Sequence, residues 1–130
     1  MGNDCCSSRA PPVDKLPSWE RARINTILKY WFPPKFNRHT GYIDDKVTDF
    51  WLQRTTEDDW FVEKSFKKDL LALQEGQYEE WENDRDGRLA IIILCDQFSR
   101  RIYRGNQQAF YFDHIALDIT KKILQEPLEF

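Results

Sequence analysis

The residues best suited to chemistry fall in one stretch of the second half of the chain: Asp96, Gln97, Arg100, Tyr103 and Arg104. Asp96, Arg100 and Arg104 are spaced four apart, so a continuous helix stacks them on one face. Asp96 precedes Arg100 by one turn, the orientation that favours an ion pair. Gln97 and Tyr103 flank the stack. Two readings stand side by side. Planar arginine forks suit phosphate and carboxylate, so Arg100 and Arg104 are candidates for anion binding and Asp96 for acid–base work. The other reading is structural. A polar cluster on an apolar helix has to be paired, because burying a bare charge is costly. On that reading Asp96 is poorly exposed and paired with Arg100, Arg104 or a backbone donor, and Asp96→Ala costs about 3 kcal/mol.

The remaining reactive residues are scattered. His114 follows Asp113, and a histidine beside a carboxylate can act as a general base or simply sit on a helix surface. Cys95 lies in an apolar run and reads as a small buried hydrophobe. Trp31, Phe32, Trp51, Trp60, Phe61, Phe66 and Trp81 either line a ligand groove or form core. His39 and His114 have no ligand-spaced cysteines near them, so no metal site is expected, and no cofactor. Neither a nucleophile triad nor a phosphate loop is spelled out. Cys5 and Cys6 are adjacent and a poor start for a disulfide framework, which points to a reducing compartment.

The elements that must position these residues are helices. Ser18 is a good N-cap after Pro17, and Ile24, Ile27, Leu28 and Trp31 repeat at helical spacing until Pro33-Pro34 ends the pattern. Lys35 to Gly41 reads as a loop. Asp44 or Asp45 starts a shorter helix with Val47, Phe50 and Trp51. Thr56 and Asp59 resemble a capping box for a third helix carrying Val62, Phe66, Leu70 and Leu73, closed by Gly76. Asn83 to Gly87 reads as a turn. Leu89 to Leu94 is apolar without interruption, and Phe98, Ile102 and Tyr103 extend it to Gly105 as one central helix of about five turns. Asn106 caps a last helix with Ala109, Phe112, Ala116, Ile119 and Ile123. Its stripe of Phe112, Ile115, Ile119 and Ile123 runs towards Leu128 and Phe130, and predicts an exposed apolar patch at that end. The expected fold is all-α, five or six helices in antiparallel pairs with no sheet.

From the ILKYWF stretch onward the chain resembles the "domain of unknown function 924" family. The resemblance is carried by LAIIILCDQFSRRIYRGNQQAF, within which Asp96, Gln97, Phe98, Arg100, Tyr103, Arg104, Gly105, Ala109 and Phe110 fall on the family pattern, followed by Asp113. Trp31, Phe32, Trp51, Asp59, Phe66, Gly76 and Trp81 match upstream. The likeness covers roughly Ile24 to Leu124. The chain departs from the pattern at Ser99, usually Pro, at Arg101, usually Asn, and at Cys95, usually Leu; Pro33 to Val47 looks like an insertion. The resemblance implies a tetratricopeptide-like helical arrangement and no particular reaction. It also implies a further helical segment with a His-Ser-Glu motif beyond Phe130, so the chain reads as the N-terminal part of the family domain.

Composition bounds the function. Hydrophobic residues make up 41% and charged residues 32%, a globular balance over 130 residues, enough for one domain. A net charge of −3 removes the electrostatic footprint of a nucleic-acid binder. Residues 44–88 hold 14 acids against 7 bases, which reads as a solvated acidic face. No apolar run approaches the roughly 20 residues of a membrane span. Residues 1–17 are polar and proline-rich, a disordered tail ahead of a single domain at 18–130. Within it, Gly2 after Met1 is a candidate for myristoylation, with Cys6 where the pattern wants Ser or Thr, and Cys5 and Cys6 are candidates for palmitoylation. The expected function is a helical binding module, for a protein or peptide partner, attached by its acylated tail to the cytosolic face of a membrane. The rival is a small enzyme, for example a hydrolase, or an anion-binding protein built on Asp96, Arg100 and Arg104.

Overall fold

The computed structural model describes residues 14–32, 45–52 and 55–126. Gly2, Cys5, Cys6, His39, the expected loop Lys35 to Gly41, and Leu128 and Phe130 lie outside the described residues. The fold is all-α: 82% of the described residues are helical and none is in a strand. Three helices come first: α1 at Ser18–Trp31, α2 at Asp45–Leu52 and α3 at Thr56–Gln74. A long rod follows, made end to end of α4 (Arg85–Ile92), a π-helical segment (Ile93–Phe98) and α5 (Ser99–Ile102). The last helix is α6 at Asp113–Gln125. Short 3₁₀ turns, Glu79–Asn83 and Gln107–Phe110, lead into the rod and into α6.

The rod is the centre because its sequence is apolar nearly all round. Ala90, Ile91, Leu94, Cys95 and Phe98 are essentially fully buried, each large one contributing about 1.5–3 kcal/mol. α4 packs on α1 and α6, the π-helical segment on α3 and α6, and α5 on α3. Ile24, Ile27, Phe66, Leu70, Phe112 and Ile119 come in from those helices. The apolar stripe of α6 splits along its length. Phe112 and Ile119 are buried, whereas Ile123 and Leu124 are exposed.

Residues just ahead of Ser18 take part in the packing. Leu16 enters the core, and the Asp14 carboxylate takes the Arg21 guanidinium at 2.8 Å. Arg21 also holds Asp84 at 2.7 Å, so one side chain staples the approach to α1 onto the start of α4. Ser18 is the first helical residue and no side chain caps α1; the Pro17 carbonyl receives the N–H groups of Glu20 and Arg21.

Two further caps shift by a few residues. The cap of α3 is Thr55, whose hydroxyl accepts from the Asp58 N–H at 3.1 Å and donates to the Asp58 carboxylate at 2.7 Å. The pair Thr56 and Asp59 has the same spacing, but Asp59 is used elsewhere. Asp84 caps α4 through the Gly87 N–H at 2.8 Å, so Gly87 belongs to the helix and not to the turn. A Cβ on Gly87 would sit 2.6 Å from the Trp81 carbonyl oxygen, so only glycine lets the 3₁₀ turn approach α4 this closely.

Candidate functional site

The π-helical segment Ile93–Phe98 carries Asp96 and Gln97, and π segments recur at functional sites. Their side chains join at 2.6 Å, Gln97 Nε2 donating to Asp96 Oδ2. Arg100, one turn on, pairs with the Asp96 carboxylate at 3.1 Å and also donates to the Asp96 carbonyl. Its other nitrogen meets Asp113, at the start of α6, at 3.2 Å. Asp113 Oδ1 is buried and makes no hydrogen bond of good geometry, so the Arg100 charge is its compensation. The Phe110 ring lies 5.2 Å from the guanidinium.

Four of the six expected residues therefore meet: Asp96, Gln97, Arg100 and Asp113. Tyr103 and Arg104 do not join them. Helical arithmetic from Asp96 stops applying because α5 ends at Ile102 and Gly105 turns the chain with a φ of +78°. Tyr103 stacks on Phe112 at 6.2 Å. Arg104 crosses to Asp59 in the first turn of α3, Nη2 to Oδ1 at 2.6 Å, and this hydrogen bond raises its pKa further above the ordinary arginine value.

The expectation that Asp96 is poorly exposed is corrected. The side chains of Asp96, Arg100 and Asp113 are 40%, 36% and 44% exposed. They lie at the rim, where Asp96 removal strands nothing in the interior. Two carboxylates share the Arg100 guanidinium, so an incoming anion meets net negative charge there. The chemistry this arrangement offers is a hydrogen-bonded clamp between the rod and the start of α6.

The other candidates separate just as plainly. His114 is exposed and borders an open cleft of about 430 Å³ with Tyr78, Glu82, Ile91 and Asp118. Cys95 is fully buried, and burial pushes its thiol up to about 12, which leaves it unreactive. Of the aromatics, Phe66 and Trp81 are core, Trp31 and Trp51 stack at 5.7 Å, and Trp60 and Phe61 are exposed.

Sequence reasoning passed over Arg101, a buried residue only 7% exposed. Its Nη1 is sealed from solvent and has no hydrogen-bond partner of good geometry among the described residues. The signal was available: Arg101 follows Leu94 and Phe98 by seven and three residues, on the buried face of the rod. It also passed over Asp69, 3% exposed, which receives Arg23 at 2.6 Å and the Tyr78 hydroxyl at 2.8 Å.

Among the described residues no group of three His, Cys, Asp or Glu side chains is placed to hold a metal ion. No described helix is long and apolar enough to cross a membrane. Neither a curated protein nor a solved structure matches the chain. The model of the family described as "Bacterial protein of unknown function (DUF924)" matches residues 27–129, most of the chain and the whole of the rod, and the chain belongs to that family.

Proposed function

We propose that this chain is a helical binding module whose first partner is a membrane surface, reached through acyl chains on Gly2 and on Cys5 or Cys6. The observation that carries the reading is Trp19. It lies in the first turn of α1, immediately after the tail, and is 57% exposed. Tryptophan favours the membrane–water interface, where its ring is half buried and its N–H stays wet. A myristoyl chain alone gives reversible attachment, with an association constant of about 10⁴ M⁻¹. A palmitoyl chain adds about 0.8 kcal/mol per buried methylene and makes residence stable. Arg9 and Lys15 are offset by Asp4 and Asp14, so lipid does the anchoring, with Trp19 as a third contact.

Expression in a eukaryotic cell with labelled myristate tests this. The wild type is expected in the membrane fraction with label on Gly2. Gly2→Ala releases it, and replacing Cys5 and Cys6 by Ser leaves weak, reversible attachment. A wild-type protein that carries no myristate and stays in the soluble fraction overturns the reading.

One observation favours the enzyme reading instead: Asp96 sits in a π-helical segment. Its test is Asp96→Asn, which on that reading keeps the fold and abolishes turnover against a panel of ester and phosphoester substrates. On the binding reading neither protein turns over any of them.

A further inference from the structure

We propose that Arg101 receives the carboxylate of a small acid with a flat apolar body, in an aromatic-lined site beneath α2. Three arginines follow one another at the end of the rod. Arg100 has two carboxylates and Arg104 has one. Arg101 has no carboxylate within ion-pair reach among the described residues, although it is the one that is buried. Its Nη2 donates to the Trp51 carbonyl at a long 3.4 Å, and its Nη1 makes no hydrogen bond of good geometry among the described residues. The guanidinium lies 5.8 Å from the Trp31 ring centre and within hydrogen-bonding reach of the Tyr30 hydroxyl, a neutral partner that leaves its charge uncompensated. The carboxylates on the neighbouring helix are engaged: Asp58 by the Thr55 hydroxyl and Asp59 by Arg104. A cation in such surroundings is costly unless a counter-charge completes it.

The surroundings select the ligand. One cation in an apolar setting is neutralised by one negative charge, whereas a phosphate dianion leaves a net charge buried. The neighbours are rings. Trp31 and Trp51 stack at an interplanar angle of 16°, Tyr30 meets Phe98 edge-on at 5.7 Å, and Phe98 is fully buried. Such walls favour a planar apolar body. The way in is α2. Eight residues have little helical stability of their own. α2 is tied down by Val47, by Phe50 against Tyr30, and by Trp51, whose Nε1–H donates to the Trp31 carbonyl at 2.7 Å. It is the element that yields to admit a ligand to Nη1. The site is independent of membrane attachment.

The test uses the full chain and three probes: benzoate, its neutral counterpart benzamide, and inorganic phosphate. Tryptophan fluorescence reads binding, because Trp31 and Trp51 adjoin Arg101. Benzoate is expected to give a saturable change and to raise the melting temperature. Benzamide and phosphate bind at least about tenfold more weakly. Arg101→Met loses the benzoate response while melting at the same temperature or higher, because an apolar side chain replaces a bare buried charge. The proposal is overturned by no saturable benzoate response, by equal responses to benzoate and benzamide, by a preference for phosphate, or by an unchanged response in Arg101→Met. An Arg101→Met chain that fails to fold, or melts lower, also overturns it, since Arg101 then serves only to hold Trp51.

Discussion

Asp69 and Asp96 each hold an arginine, but the Asp69 side chain is 5% exposed and that of Asp96 is 40%. The Asp96 network lies in the conspicuous motif and joins residues close in sequence. The Asp69 network joins α1, α3 and the segment after α3: Arg23 spans 46 positions to reach it, and Tyr78 completes it. It also restrains an unusual backbone. Tyr78 has a φ of 64°, a left-handed conformation that costs a bulky residue about 1–2 kcal/mol. Its ring, stacked on Trp81 at 4.1 Å, and its hydroxyl on Asp69 offset that strain. Burial separates the two regions. In the interior, removing one partner strands the other. At the rim, water replaces whatever is removed.

The largest expected effect is therefore Asp69→Ala, which leaves the Tyr78 hydroxyl without its acceptor and Arg23 with only the Ser65 carbonyl, and destabilises by about 3 kcal/mol. Urea unfolding measures it, and a loss below about 1 kcal/mol would place this pair in the same class as the rim. Tyr78→Phe removes one hydrogen bond and keeps the stack. It should cost about 1 kcal/mol in the same assay. A much larger loss would mean that the hydroxyl alone holds the left-handed turn.

Acid titration reaches a third network, Asp14–Arg21–Asp84. The hydrogen bond from Arg21 holds both carboxyls below the usual carboxylate range, Asp14 at about 2. A group with a depressed folded pKa stabilises the fold above its unfolded pKa, near 4, and loses that contribution as pH falls through the folded value. Stability should therefore decline between about pH 4 and pH 2, and Arg21→Gln should flatten that decline. An identical acid limb in the variant would show that Arg21 contributes nothing to it. The smallest effect is Asp96→Ala, about 0.5 kcal/mol and shrinking further in high salt. A loss near that of Asp69→Ala would erase the contrast between rim and interior.

Much of the fold was legible because helix periodicity and chain-end chemistry are local. The rod is apolar at nearly every position, and Gly76 and Gly105 take left-handed turns with φ of +80° and +78°; Asn106, expected to cap the last helix, caps the 3₁₀ turn Gln107–Phe110 ahead of it instead. The errors were errors of register. Thr55 and Thr56 satisfy the same capping rule, and the choice depends on Asp59 being engaged by Arg104 some 45 positions away. Gly87 resembles a turn residue until Trp81 is packed against it. In the candidate site, the Asp96 to Arg100 pairing was legible because it lies within one turn. The departure of Arg104 was not, because it follows from where α5 ends and what α3 presents.

By itself, then, the amino-acid order determined an all-α chain, the position of its central rod, the Asp96–Arg100 pair and membership of the family. Each of these depends on interactions within about one helical turn or on a linear pattern. The tertiary structure decided which charges are buried. It moved Asp96 to the rim, brought Arg23, Asp69 and Tyr78 together inside, and left Arg101 buried beneath α2 with no carboxylate in ion-pair reach among the described residues. Burial belongs to the packed assembly: the same arginine is a solvated point on one face of a helix and an uncompensated charge on the other, and only the helices that close over it settle which.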